Sequence, residues 1–132
     1  MFEYHGWVTV QSSAGDEEES ARDRAHQAAE QELRNLSSAP GLADIRTVNG
    51  MSFVHISGFS NRRAGSGDLA IDTFRNIGKV APGSYGLLYF RDDEDRGGRN
   101  NEFQVLAMRR GEVVEQHDTL LSLCIPVIED AD

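Results

Sequence analysis

The chain has a single cysteine, Cys124, among its 132 residues. One thiol excludes an internal disulfide and leaves no cysteine pair to hold a metal. Its neighbours Leu123 and Ile125 are apolar, and no basic group stands near to favour a thiolate, so Cys124 is expected to be a small buried side chain. Long apolar runs are also missing. Nothing approaches the ~18 residues that a membrane-crossing helix needs, and the N-terminus carries neither a basic patch nor the apolar core of a signal peptide. A cytoplasmic location is expected. Positive charge is scarce: 13 Lys and Arg against 22 Asp and Glu leave a net charge of −9. That balance disfavours nucleic acid and anionic membranes and favours a partner with a basic surface.

Recognisable chemistry is equally sparse. His5, His26, His55 and His117 show no paired zinc spacing. Asp93 and Asp95 ahead of Gly97-Gly98 faintly resemble a calcium loop, but Gly97 interrupts the ligand spacing and Gln104 replaces the closing Glu. Ser84 follows Gly83, yet Pro82 stands where a nucleophile elbow requires glycine. His117 and Cys124 have no orienting group between them, and no glycine-rich loop matches a phosphate cradle. No metal and no cofactor are expected.

What the sequence does have is concentrated between Ala81 and Asn101. Pro82-Gly83 ends the preceding helix. A strand beginning at Ser84 places Tyr85, Leu87, Tyr89 and Arg91 on one face and Gly86, Leu88 and Phe90 on the other. Both faces are apolar enough for the centre of a sheet. Asp92, Asp93, Glu94 and Asp95 follow at once. Four consecutive carboxylates are costly to bury, so all four are expected in water at the end of that strand.

The remaining elements follow in chain order. Phe2, Tyr4, Val8 and Val10 alternate with Glu3, His5, Trp7 and Thr9, the pattern of a half-buried strand whose second face is wet. Gly6 predicts a bulge or a close approach. Asp16 opens a helix over an acidic first turn, with Ala21, Ala25, Ala28, Ala29, Leu33 and Leu36 as its buried stripe. Pro40-Gly41 stops it. Strands at Leu42–Val48 and 51–58 flank Asn49-Gly50, the dipeptide of a type I′ hairpin. His55, between Phe53, Val54 and Ile56, reads as a core histidine. A second helix, capped by Ser66 or Asp68, buries Ala70, Ile71, Phe74 and Ile77. Strands at 102–109 and 112–117 follow, the latter polar enough for a sheet edge. Leu120 to Ile128 is apolar but contains Pro126, so it is expected at an edge or as an extended wrapping tail.

This order makes an α+β protein, one domain over residues 1–132. It has a single antiparallel or mixed sheet with two helices on one face, a ferredoxin-like βαββαβ core in the economical arrangement, and further C-terminal strands. Two functional readings remain. In the first the chain is a binding protein that uses Asp92, Asp93, Glu94 and Asp95 for charge and Trp7, His5, Tyr85 and Tyr89 for contact. In the second it is a small enzyme or ligand-binding protein built on His5, His55 and the acidic segment.

Several stretches together carry a family resemblance: Tyr4-His5-Gly6-Trp7, the run from Ala81 to Tyr89 with Arg91 to Asp95, Asn101 to Val105 with Arg110-Gly111, and Leu121-Ser122 through Cys124-Ile125-Pro126 to Glu129-Asp130. The chain resembles the immunity protein 7 family of bacterial polymorphic toxin systems. It departs at Leu123, where proline is expected, and at Arg62, where histidine is common. The resemblance implies a non-enzymatic cytoplasmic protein that binds and blocks a cognate toxin domain, protecting the cell that makes it.

Overall fold

In the computed structural model, which describes residues 1–13, 15 and 18–130, the chain folds around one antiparallel sheet. The elements are β1 (Phe2–Val10), α1 (Glu19–Leu33), β2 (Leu42–Val48), β3 (Met51–Ser60), α2 (Ser66–Val80), β4 (Tyr85–Asp92), β5 (Gln104–Arg109), β6 (Glu112–His117) and a one-turn α3 (Cys124–Val127). Spatial order is β2-β3-β1-β4-β5-β6. The first four strands thus form the split βαβ arrangement. The β5–β6 meander extends it beyond β4. Both helical crossovers feed back onto the same face, as right-handed connections require.

Strand parity decides what that face buries. Phe2, Tyr4, Val8, Val54, Ile56, Leu88, Phe90, Leu106 and Met108 all point towards the helices and are buried there. Each large apolar side chain fully removed from water contributes roughly 1.5–3 kcal/mol. Helix α2 meets them with Ala70, Ile71, Phe74 and Ile77, as its spacing predicts. Helix α1 meets them with Ala25, Ala29 and Leu33, and Leu36 follows in the 3₁₀ turn Arg34–Leu36. Small alanines leave α1 short of apolar contact. A polar clasp adds to its hold: His26 Nδ1 lies 2.7 Å from the Ser52 hydroxyl on β3, with the Thr47 hydroxyl of β2 at 3.4 Å.

The predicted Asp16 cap lies outside the described residues. Other local expectations need correcting. The N-cap position of α2 is Gly65, at φ 82°, with no side-chain cap bond. Asp68 is instead engaged by Arg63 Nε at 2.9 Å. Gly6 marks no bulge, since β1 runs in unbroken register with both β3 and β4. It marks a close approach, where a Cβ would come within 2.8 Å of the Leu88 side chain. The hairpin turn is as predicted, with Asn49 at φ 51° and Gly50 at φ 80°.

Candidate functional site

The second face of the sheet faces away from both helices. Its rows cross the strands in register. One runs Asp44, His55, Trp7, Leu87, Ala107, Val114, and the next runs Leu42, Ser57, His5, Tyr89, Val105, Gln116. Trp7 and Tyr85 are 39% and 44% exposed and meet edge-on, with centroids 6.2 Å apart. That meeting requires β1 and β4 to lie close, and Gly86 permits it, because a Cβ there would collide with the Trp7 carbonyl. Tyr89 is half-buried and packs edge-on against Phe103. Alternation within each strand and the pairing of β1 with β4 together put Trp7, His5, Tyr85 and Tyr89 on one face.

His55 shares it too, which corrects its placement in the core. Its neighbours Val54 and Ile56 take the helix-facing positions, so parity turns the imidazole outward, where it is exposed. His5 and His55 stand diagonally across adjacent strands, a separation of about 7–8 Å. The Nε2 atom of His5 lies 2.9 Å from Glu3 Oε2, on an exposed surface. Asp44, opposite His55 in register, is engaged by Arg46 at 2.8 Å. The depression beside His5, about 390 Å³, is otherwise lined by Pro40, Gly41, Ser57, Gly58 and Phe59. The larger cleft, about 610 Å³, lies between α1 and the β2–β3 hairpin and is lined by neither His5 nor His55. Among the described residues, neither of these two depressions brings His5, His55 and the acidic segment together.

The acidic segment occupies the opposite end of β4. The span from Tyr85 to Asp92 is about 23 Å at the usual strand rise. Its carboxylates are not alike. Asp92 is only 7% exposed, which overturns the expectation that all four lie in water. As the last residue of β4 it faces the same side as Phe2, and it accepts the Glu94 amide at 3.0 Å. Burial is tolerated because that donor is supplied. Asp93 and Glu94 are exposed but lie 2.7 and 3.4 Å from the Met1 ammonium. Asp95 folds the loop back by accepting the amides of Gly97 and Arg99 at 2.9 and 3.0 Å. Two of the four, Asp93 and Glu94, present charge outward.

Residues 118–130 cross this same end of the sheet. They form neither an edge strand nor an extended tail but a strap ending in α3. Asp118 accepts the amides of Leu120 and Leu121 and the Ser122 hydroxyl. Burial opposes its ionisation, yet those donors outweigh it and hold the carboxyl below its usual range. Asn101 grips Ile125 by both backbone groups, at 2.8 and 3.1 Å. Arg91, 3% exposed, makes a bidentate pair with Glu129 at 2.8 and 2.9 Å. That bond lowers the Glu129 pKa and raises that of Arg91. Cys124 is buried beneath the strap, as expected, and burial pushes its thiol up. The strap's polar fastening was not visible in the sequence: Asn101 and Glu129 stand in separate stretches of the resemblance and Asp118 in none, and nothing in the pattern shows that they meet.

An open aromatic sheet face on an acidic α+β domain is the kind of surface with which one protein binds another. Comparison with known families gives that class its particular form. The immunity protein 7 model matches residues 1–130, and the chain belongs to that family. No curated protein and no solved structure matches it. Membership makes it an immunity protein directed against a toxin.

Proposed function

We propose that this protein acts in the cytoplasm by binding its cognate toxin domain one to one, with the open face of the sheet laid against it. The observation that carries the reading is the Trp7–Tyr85 pair, two large aromatic rings left part-exposed on the central strands of a six-stranded sheet. Rings mounted this way lose little side-chain freedom on binding, and Trp and Tyr are the residues most often found as energetic anchors. His5 and Tyr89 flank them in the neighbouring row. Asp93 and Glu94, with the net charge of −9, draw in a basic surface and raise the association rate. A toxin that processes a polyanion, such as a nuclease, carries such a surface.

The test is titration of the cognate toxin domain with the purified protein. Toxin activity should fall in proportion to added protein and vanish at one equivalent. Full activity in the presence of excess protein overturns the reading.

A further inference from the structure

The strap is inverted relative to an ordinary surface segment. Its polar groups Asp118 and Ser122 turn inward to hold backbone amides, and Cys124 is buried. Its large apolar side chains turn outward. Leu120, Leu121, Leu123, Ile125, Val127 and Ile128 are between 41% and 74% exposed, six within nine residues. Scattered exposed leucines need no explanation, but a concentration of this kind marks a contact surface. Loose chain would fold such residues inward. Here the Asn101 grip on Ile125, the Phe103 amide donated to Ser122 at 3.0 Å and the Arg91–Glu129 pair fix the backbone in the outward-facing arrangement.

Resting on the reading that the chain captures a toxin, we propose that this apolar ridge is a second anchor for the toxin domain, and that it enters an apolar recess rimmed by Lys and Arg. The charge around the ridge selects that occupant. Glu102 and Asp130 flank it, next in the chain to Asn101 and Glu129, and the Arg91–Glu129 pair, in which Glu129 is neutralised, joins it to the strand end that carries Asp93 and Glu94. A second copy of this chain would bring the same carboxylates face to face, which costs affinity, whereas a basic rim complements them. The ridge therefore supplies apolar contact where the acidic segment supplies attraction. The Trp7 end supplies a separate contact along the same sheet.

The experiment compares wild-type protein, the triple variant Leu120→Gln/Leu123→Gln/Val127→Gln and the single variant Val48→Gln, the last altering a side chain of comparable exposure (53%) on the far edge strand. Affinity for the toxin domain is measured by calorimetry, folding by circular dichroism and the free protein's mass by sedimentation. Because the substituted side chains already face water, the triple variant should keep its unfolding temperature. Leu120→Gln alone, at the most exposed position, serves if it does not. The expected result is a loss of about tenfold or more in affinity for the triple variant, a smaller loss for Leu120→Gln, and less than twofold for Val48→Gln. Unchanged affinity in the strap variants, with wild-type protein binding tightly, overturns the ridge while leaving the toxin reading intact. A wild-type dimer that the triple variant dissociates, with toxin affinity unchanged, assigns the ridge to a second copy instead. Failure of the wild-type protein to bind removes the toxin reading and the ridge together.

Discussion

The two ends of β4 solve opposite problems with the same strand. At the Tyr85 end the outward face carries aromatic rings that nothing in the described chain covers, and Gly86 holds the neighbouring strand close enough for Trp7 to meet Tyr85. At the Arg91 end the same face is crossed by residues 118–130, and Arg91 and Asn101 are engaged by that segment's Glu129 and Ile125. One end is open and lightly charged. The other is fastened, acidic and, on the strap itself, unexpectedly apolar. The comparison teaches that a run of carboxylates is no guide to available charge. Asp92 and Asp95 build the loop, and only Asp93 and Glu94 are left facing outward.

The strongest way to break the comparison is to remove the close approach at the open end. Gly86→Ala forces a methyl group against the Trp7 carbonyl between the two central strands. Overpacking of this kind typically costs about 1–3 kcal/mol, and here rigid backbone on the other side places the cost at or above that range. Thermal unfolding should show a large drop in midpoint or no folded protein. Next in size is Trp7→Ala with Tyr85→Ala. The pair should weaken toxin binding by about 2 kcal/mol or more, the range of an energetic anchor. Each ring is also more than half buried on a central strand, so the unfolding temperature should fall as well, and calorimetry beside a melting curve separates the two effects.

Reversal of the outward charges comes third. Asp93→Lys with Glu94→Lys should slow association several-fold at low salt and flatten its salt dependence, with dissociation barely altered. Stopped-flow mixing at several ionic strengths reads both. Asp92→Lys belongs to another category, because it buries a cation and removes the acceptor for the Glu94 amide. It should destabilise the fold. The smallest effect is on the strap. The folded-state pKa values of Asp118 and Glu129 lie below their ordinary values of 3.8 and 4.5. Their stabilising contribution is therefore complete above those values and is lost as pH falls through the lowered ones. Amide exchange in residues 120–129 should be unchanged between pH 7 and pH 5 after correction for intrinsic rates, and should accelerate below about pH 4.

Period-two alternation made the sheet legible. It separates Phe2, Tyr4 and Val8 from His5 and Trp7 within β1, and Leu88 from Tyr85 and Tyr89 within β4; only the pairing register brings His5, Trp7, Tyr85 and Tyr89 onto one side. The same rule, applied strictly, would have turned His55 outward. Its apolar flanks were read as a core environment, although a strand with Val54 and Ile56 inside must put residue 55 outside. Asp92 was misread for a different reason. Composition prices each carboxylate as if solvent were its only partner, while the chain supplied an amide two residues on. The apolar run Leu120 to Ile128 with Pro126 reads as an edge piece or an extended tail, and neither reading predicts a strap with its apolar side chains turned outward. Its exposure depends on Asn101 and Arg91 reaching it from separate places in the chain, beside the local turn that Asp118 closes, and no local pattern encodes the first two contacts. That the partner is a toxin was legible only through the family resemblance.

Trp7 is the only tryptophan in the chain, so its fluorescence reports directly on the open face. With a toxin domain whose own tryptophans are replaced by phenylalanine, acrylamide quenching of Trp7 is measured in the free protein and in the complex. Binding over the open face should cut the quenching constant several-fold and shift the emission to shorter wavelength. An inhibited, fully formed complex in which Trp7 quenches as readily as in the free protein would show that the toxin is held elsewhere.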